Sequence, residues 1–298
     1  MDAGEILPPL ALEAPFEILR PESPAAASAP ALVFASPHSG RHYPADMGAS
    51  SRLGAADIRS SEDALVDRLL AAAPRFGSTV ILARYARAYI DVNREPYELD
   101  PAMFEDDLPD YVRGRTARVA AGLGSIARLV SEGREIYDRK LTFAEAARRI
   151  EAVHLPYHLA LRQLVDQARA ERGGAVLIDW HSMPGAAAGS GVSGRRPVDM
   201  VLGDRFGSTC SPALTDLMER QLTGLGYAVA RNAPYAGGYT TECYGRPVEG
   251  VHALQVEINR ALYLDEATLT PKPGFGRLAS DLERVFAALA AVDAASLH

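Results

Sequence analysis

The chain has 298 residues, of which 48% are hydrophobic and 23% are charged, so it carries enough apolar surface to exclude a disordered protein. Its formal net charge of −7 argues against a nucleic-acid-binding protein, and no apolar run reaches the length of about 18 residues that a membrane-spanning helix needs. Two cysteines are too few for a disulfide framework, and Asp2 and Glu5 stand where a secretory signal would carry basic residues, so we expect a cytoplasmic protein.

The N-terminal part of the chain alternates apolar runs with one helical pattern. We expect residues 1–30 to be a lead-in segment that ends in a Pro/Ala/Ser-rich loop over 23–30. Apolar residues recur at helical spacing across 61–73, which predicts a helix with Ser61 as its cap. The other features predicted here are strands over 31–36, 78–83 and 86–92, and irregular structure over 95–115.

A long helical pattern over 143–174 dominates the middle of the chain. Thr142 is its expected cap, Gly173 its expected end, and Pro156 should kink it, because proline removes a backbone donor. His158 on this helix is expected to pack against a neighbouring helix rather than to bind a ligand. The remaining predicted elements are strands over 175–180, 199–204, 227–232 and 251–259, and helices over 211–226 and 276–291.

This alternation of strands and helices predicts the fold class. Continuous apolar strands are typical of sheets that are buried on both faces. We therefore expect a three-layer α/β fold with a mixed, largely parallel sheet flanked by helices. Residues 31–298 should form a single domain, since no internal boundary is visible in the sequence.

Polar side chains follow several of the predicted strands at the point where each strand ends. In open α/β sheets the functional site lies beyond the carboxyl ends of the strands. We therefore expect these side chains to meet in one cleft. The side chains that the strand ends deliver are His38, Asp91, Asn93, Arg94, Asp179, His181 and Glu257.

Two histidines and an acidic residue from the segment 61–73 are a suitable donor set for zinc. Two imidazoles and one carboxylate form a common hydrolytic zinc site, which leaves a fourth position open. The metal lowers the pKa of water to about 7, and a separate carboxylate must then move the proton. Glu257 is the candidate for that task, because a buried carboxylate is costly unless it is paired or functional. The alternative role for Glu257 is a structural ion pair with Arg260. Asp179 points the same way as His181 along a strand and is expected to orient that imidazole.

Seven motifs carry a resemblance to a known family. They occur in the order SPHSGRHYP (36–44), SEDALVDRL (61–69), YIDVNREP (89–96), IDWHSMP (178–184), LGDRFG (202–207), APYAGGYTTECYG (233–245) and LQVEINRALYLDE (254–266). Together they resemble the N-formylglutamate amidohydrolase family over about residues 15–290. The family is similar in fold to the zinc carboxypeptidases and the aspartoacylase-type deacylases. The resemblance therefore implies a phosphorylase/hydrolase-like fold with one zinc ion.

The resemblance also implies which residues form the catalytic centre. His38 and His181 would be metal ligands, with an acidic ligand from the SED segment between them. Asp63 matches the family pattern better than its neighbour Glu62. Glu257 would be the catalytic glutamate.

Four further residues are candidates for binding the substrate. The resemblance implies that Asn93 and Arg94 hold a substrate carboxylate, which suits a planar guanidinium. The alternative for Arg94 is an ion pair with Glu95 or Glu98. Arg196 in a Gly/Ser-rich loop is a candidate for a second carboxylate, unless it is simply solvated. Tyr239 could donate a hydrogen bond to the substrate, unless GGYTT is a plain turn.

These features lead to three functional hypotheses. In the first, the chain is a zinc-dependent amidohydrolase that converts N-formyl-L-glutamate to formate and L-glutamate, as in one route of histidine degradation. In the second, it deacylates another N-acyl amino acid or a small peptide. In the third, it is a non-catalytic binding module on the same fold. In each case we expect a small anionic ligand and no nucleic-acid or membrane partner.

Overall fold

The structure is a computed structural model that describes residues 13–21, 31–130, 133–189 and 197–297. The loop predicted over 23–30 and the candidate residue Arg196 lie outside these described residues. Within the described ranges, no helix is both long and apolar enough to cross a membrane.

A mixed sheet of seven strands forms the centre of the molecule, in the order β1-β3-β2-β4-β7-β5-β6. The strands are β1 Phe16–Leu19, β2 Leu32–Ser36, β3 Thr79–Ala83, β4 Ala175–Met183, β5 Met200–Gly203, β6 Val229–Arg231 and β7 Val251–Asn259. Strands β3, β2, β4 and β7 pair in parallel, as do β5 and β6, whereas β1 and β5 join antiparallel to β3 and β7. A separate two-stranded sheet contains β8 Leu264–Asp265 and β9 Thr270–Pro271.

Helices cover both faces of the sheet. They are α1 Ala45–Ser50, α2 Ala55–Ile58, α3 Val66–Leu69, α4 Ala117–Ala120, α5 Phe143–Arg149, α6 Leu155–Arg172, α7 Pro212–Gly224, α8 Tyr239–Tyr244 and α9 Gly274–Ala290. Helix α6 packs against β2, β3 and β4. Phe286 of α9 contacts Phe34 of β2 and Trp180 of β4. The predicted three-layer α/β fold with a mixed, largely parallel sheet is confirmed.

Strands β4 and β7 position the carboxyl-end residues most directly. All nine residues of each strand are buried, which explains why both read as continuous apolar runs. Their parallel register places His181 beside Glu257. Two polar side chains far apart in sequence therefore share one edge of the sheet.

The long helix between the irregular middle region and β4 follows the prediction with one local change. Thr142 caps α5 through a reciprocal capping box with Glu145, and Gly173 ends α6 in the left-handed conformation. Between α5 and α6 the backbone makes a π turn over Ile150–His154. Pro156 lies in the first turn of α6, where its missing N–H costs little.

Two predicted elements are wrong. The segment 61–73 is not one helix, because Leu65 adopts a left-handed backbone (φ 66°) and only Val66–Leu69 forms an α-helical turn. The backbone N–H of Asp63 instead donates to the His38 carbonyl oxygen at 3.0 Å. The run 86–92 is not a strand but a turn, in which Tyr89 N–H donates to the Ala86 carbonyl oxygen at 2.9 Å. In both places tertiary hydrogen bonds override the local pattern.

Two further segments contain elements that the sequence pattern did not reveal. The lead-in segment contributes β1, which pairs with β3 at the edge of the sheet. The GGYTT stretch leads into α8, which begins at Tyr239.

Candidate functional site

A cavity of about 430 Å³ opens at the carboxyl ends of β2, β4 and β7. Three segments outside the sheet supply much of the remaining wall, over 87–94, 118–130 and 234–238. This is where open α/β sheets place their sites. The expected cleft is therefore present, and most of the polar side chains predicted from the strand ends line it.

Three side chains in this cavity offer ligand atoms to a common point. Nδ1 of His181 lies 3.0 Å from Nδ1 of His38 and 3.1 Å from Oδ2 of Asp63. The third side of the triangle, from His38 Nδ1 to Asp63 Oδ2, measures 3.5 Å. Ligands about 2.0–2.1 Å from a tetrahedral metal ion lie roughly 3.3 Å from one another. The donor types and their separations thus suit a metal ion such as zinc.

The opposite nitrogen of each imidazole faces a carboxylate. His38 Nε2 lies 2.7 Å from Asp91 Oδ1, and His181 Nε2 lies 2.9 Å from Asp179 Oδ2. These carboxylates accept the Nε2 protons, so each imidazole can offer its Nδ1 lone pair to a metal ion that replaces a proton there. Asp179 has the orienting position that the sequence suggested, and Asp91 has the matching one on the other side.

The electrostatics of this centre favour a cation. Although burial opposes ionisation, hydrogen bonds from His181 and His38 hold the pKa of Asp63 well below its ordinary value. Burial also opposes ionisation of Asp91, but His38 and Arg87 lower its pKa. Despite burial, Asp179 holds the pKa of His181 well above its ordinary value. A metal ion satisfies the same demand for positive charge by replacing a proton.

Of the two adjacent acidic residues, only Asp63 reaches the centre. Glu62 points away and accepts hydrogen bonds from Tyr43 at 2.8 Å and from Arg59 at 2.9 Å. The second oxygen of Asp63 accepts a hydrogen bond from Arg260 Nη2 at 3.0 Å. Arg260 therefore pairs with Asp63.

Glu257 faces the same cavity without an ion-pair partner in the described chain. The alternative pairing with Arg260 is thus wrong. Gln255 donates its side-chain amide to Glu257 Oε1 at 2.9 Å, and its own oxygen accepts the Gly238 backbone N–H at 2.7 Å. Burial, reinforced by the nearby Asp63 charge, raises the pKa of Glu257 to about 7. A carboxyl group with this pKa can accept and release a proton near neutral pH.

Comparison with known proteins identifies the family. The model of the N-formylglutamate amidohydrolase family matches residues 30–264. The chain belongs to the N-formylglutamate amidohydrolase family. It is 30% identical over 204 residues to the N-formylglutamate deformylase of Pseudomonas aeruginosa, a match that covers 67% of this chain and 70% of that one. It is 31% identical over 193 residues to the enzyme of the same name from Pseudomonas putida, with 64% and 66% covered.

A solved structure extends this similarity over nearly the full chain. The N-formylglutamate amidohydrolase of Ralstonia eutropha JMP134 superposes with a TM-score of 0.86 at 41% identity. The match covers 93% of this chain and 98% of that structure. This amidohydrolase family therefore accounts for the fold, and the chain is an enzyme of the amidohydrolase class.

Of the candidate residues for substrate binding, Arg94 faces the cavity with its charge unpaired by a carboxylate of the described chain. Arg94 lines the cavity, and its guanidinium donates to the carbonyl oxygens of Leu123 at 3.0 Å and Asn93 at 2.8 Å. No carboxylate of the described chain lies within ion-pair distance of Arg94, so the alternative pairing with Glu95 or Glu98 is wrong. Its guanidinium thus carries a positive charge into the cavity without a protein counter-ion.

Asn93 serves the centre itself rather than an open part of the cavity. Its side-chain nitrogen donates to Asp179 Oδ2 at 3.2 Å and lies 3.0 Å from His181 Nε2. Its side-chain oxygen accepts the Thr240 backbone N–H at 2.7 Å. The amide therefore holds the carboxylate that orients His181. The substrate contact that the resemblance implies for Asn93 stays a prediction.

Tyr239 does not line the cavity, contrary to the prediction. Because α8 begins at this residue, its ring turns toward α6 and lies 5.2 Å from the His158 ring, centroid to centroid. Tyr235 lines the cavity in its place. Tyr235 belongs to the same APYAGGYTTECYG motif, so this motif contributes a tyrosine to the cavity wall, four residues before the predicted one.

The cavity is also lined by three side chains that were not predicted as site residues: Arg87, Arg118 and Gln255. Asp91 was expected in the cleft, since it is a carboxylate within an apolar run, as Glu257 is, but its pairing with His38 was not predicted. Gln255 gave a similar but weaker signal. Arg87 and Arg118 had none, because arginines in irregular segments are common on protein surfaces.

Proposed function

We propose that this enzyme hydrolyses N-formyl-L-glutamate to formate and L-glutamate with the help of one zinc ion. The names of its relatives support the substrate. The observation that carries the proposal is that three ligand atoms share one cavity with a carboxyl group and a guanidinium that have no ion-pair partner among the described residues. This activity is the last step of one route of histidine degradation.

His38, Asp63 and His181 would hold the zinc ion. Two imidazole nitrogens and one carboxylate oxygen at mutual distances of 3.0–3.5 Å are a suitable donor set. When bound, zinc supplies Lewis acidity, which makes a nearby water more acidic and polarises a carbonyl group. Asp91 and Asp179 would keep both ring nitrogens aimed at the centre.

Glu257 would move the proton during hydrolysis. It takes a proton from the attacking water, whose oxygen bonds to the formyl carbon. It then delivers that proton to the amide nitrogen as the carbon–nitrogen bond breaks, so formate and the free amine of glutamate leave. Gln255 fixes Glu257 Oε1, which leaves the other carboxylate oxygen available to the reactants.

The arginines of the cavity explain why a dicarboxylate would be bound. Arg87 pairs with Asp91 and Arg260 pairs with Asp63, so these two charges are already balanced. Arg94 has no carboxylate partner in the described chain, and Arg118 reaches Glu98 only at 3.8 Å. We infer that Arg94 and Arg118 bind the carboxylates of the glutamyl group, with Arg94 gripping one of them in a bidentate manner.

A substrate panel tests this function. The purified enzyme, with its metal content measured, is assayed for hydrolysis of N-formyl-L-glutamate, N-formyl-L-glutamine, N-acetyl-L-glutamate and N-formimidoyl-L-glutamate. We expect the highest kcat/KM for N-formyl-L-glutamate, and a loss of about 10–100-fold for the glutamine analogue, which lacks one carboxylate. A preference for another acyl group would establish a different deacylase. No metal and no hydrolysis would establish a binding module.

A further inference from the structure

The segment 89–94 supplies three side chains to the centre although it has no regular secondary structure. Asp91 orients His38, Asn93 donates to Asp179, which in turn orients His181, and Arg94 faces the open cavity. Among the described residues, no strand of the sheet pairs with this segment to fix its backbone. Some other part of the fold must therefore hold it to the accuracy of a catalytic site.

Three side chains of the α5–α6 helix donate to the carbonyl oxygens of this segment. Arg149 Nη1 donates to the Tyr89 oxygen at 3.2 Å. His158 Nε2 lies 2.6 Å from the Val92 oxygen, and His154 Nε2 lies 2.8 Å from the Arg94 oxygen. The two histidine contacts thus flank Asn93 on the backbone.

The protonation of both histidines follows from these partners. A carbonyl oxygen only accepts hydrogen bonds, so Nε2 carries the proton in each ring. Burial lowers the pKa of His154. Burial and the neighbouring His154 lower the pKa of His158 to about 3. Both rings are therefore neutral donors through Nε2 at neutral pH.

The π turn at Ile150–His154 aligns these donors. In an α-helix, residues five apart point about 140° away from each other, so Arg149 and His154 would face different neighbours. The wider π turn reduces this angle, and His154 and His158 then follow at the α-helical spacing of four. Neighbouring rings fix the orientation, since His158 stacks on Tyr244 with an interplanar angle of 10°.

We propose that His154 and His158 are positioning residues for this active site. His154 sets the place of Arg94, and His158 sets the place of Asn93 through the Val92 carbonyl. The proposal rests on the proposed function in one respect, namely that Arg94 binds a substrate carboxylate. It assigns the substrate affinity mainly to His154 and the rate of the chemical step mainly to His158.

Paired substitutions separate a hydrogen-bonding role from simple packing. His154→Phe keeps a ring and removes the donor, whereas His154→Gln removes the ring and keeps an amide nitrogen near the Nε2 position. We expect His154→Phe to raise KM for N-formyl-L-glutamate about 10–100-fold with kcat within about threefold of wild type. His154→Gln should stay within about threefold of wild type in both constants. His158→Phe should mainly lower kcat, and His158→Gln should restore it.

A second measurement does not depend on turnover. Binding of the product L-glutamate, followed by calorimetry on the zinc-loaded protein, should weaken in His154→Phe by the same factor as KM rises. Zinc content should remain that of wild type. Leu159→Gln, an exposed position on the same helix, is the matched control and should leave all these values unchanged.

The outcomes are distinct. A wild-type enzyme that neither hydrolyses N-formyl-L-glutamate nor binds L-glutamate would overturn the proposed function and this inference together. An active wild type with an unchanged KM and glutamate affinity in His154→Phe would overturn the inference alone. The same holds if His154→Gln is as impaired as His154→Phe while both melt at the wild-type temperature.

Discussion

His181 and Glu257 stand on neighbouring strands of the sheet, whereas Asp91, Asn93 and Arg94 stand on a segment without strand structure. Ladder hydrogen bonds along β4 and β7 fix the first pair. Side-chain donors from a helix fix the second group, through the carbonyl oxygens of Val92 and Arg94. A site can therefore combine residues whose accuracy comes from the sheet with residues whose accuracy depends on a few individual side chains.

The largest effect should come from removing a ligand on the sheet. His181→Ala deletes one of the three donor atoms, so we expect less than about one tenth of a zinc ion per chain and a loss of turnover of at least about 1,000-fold. Metal analysis and a formate assay check this. His42→Ala, a partly exposed histidine outside the cavity, is the control that should keep both. If His181→Ala retains its zinc and its rate of turnover, then His181 is not a metal ligand.

The next largest effect should come from Glu257, whose removal should slow the reaction without loss of the metal. Glu257→Gln keeps the shape of the side chain but cannot accept a proton, so kcat should fall by about 100–10,000-fold. Zinc content should stay at the wild-type level, because Glu257 is not one of the three ligands. Steady-state kinetics with parallel metal analysis tests this, and undiminished turnover would remove Glu257 from the mechanism.

A smaller effect is expected from the two carboxylates that orient the imidazoles, one on strand β4 and one on the irregular segment. Asp179→Asn and Asp91→Asn each replace a carboxylate that orients one imidazole, so each should weaken zinc binding by about 10–100-fold. Asp91→Asn should cost more, because it also removes the ion pair with Arg87 at 2.8 Å. Competition with a chelator measures both affinities. Equal losses in the two variants would show that the ion pair between Arg87 and Asp91 adds nothing to zinc binding.

The smallest effect tests the helix that supports the irregular segment. Although burial opposes ionisation, Arg139 and the Thr142 backbone N–H lower the pKa of Glu145 to about 2. The lowered pKa means that the ionised group stabilises the fold above the ordinary pKa of about 4.5, and that this contribution is lost as pH falls toward 2. Glu145→Gln should therefore reduce the unfolding free energy by about 1 kcal/mol at pH 7.

Urea unfolding at several pH values measures this difference. The gap between wild type and Glu145→Gln should narrow steadily below pH 4.5. A gap that stays constant or widens on acidification would show that the Glu145 carboxylate does not stabilise the helix start through its charge.

The contrast between the two regions also explains what the sequence could predict. The run that forms β7 was predicted with the observed ends, because a strand buried on both faces is apolar along its whole length. His38, His181 and Glu257 were found for the same reason, since each follows or interrupts such a run. Their convergence required the strand order and the register between β4 and β7, which depend on long-range pairing.

The irregular segments were harder to predict because distant partners determine them. The helical spacing over 61–73 was real, but the left-handed backbone at Leu65 and the bond from Asp63 to the His38 carbonyl decide the local structure. The run 86–92 has the composition of a strand, yet donors from α5 and α6 hold part of it. The His38 carbonyl lies far in sequence from 61–73, and helices α5 and α6 lie far in sequence from 86–92. Local sequence patterns therefore could not reveal these contacts.

The catalytic site depends on the convergence of His38, Asp63 and His181 on one metal ion. A crystal structure of the purified enzyme, with anomalous data collected on both sides of the zinc absorption edge, shows whether they share an ion. We expect one anomalous peak within bonding distance of both Nδ1 atoms and of Asp63 Oδ2. An enzyme that is active on N-formyl-L-glutamate but shows no peak there, or shows its peak elsewhere, would disprove this metal site.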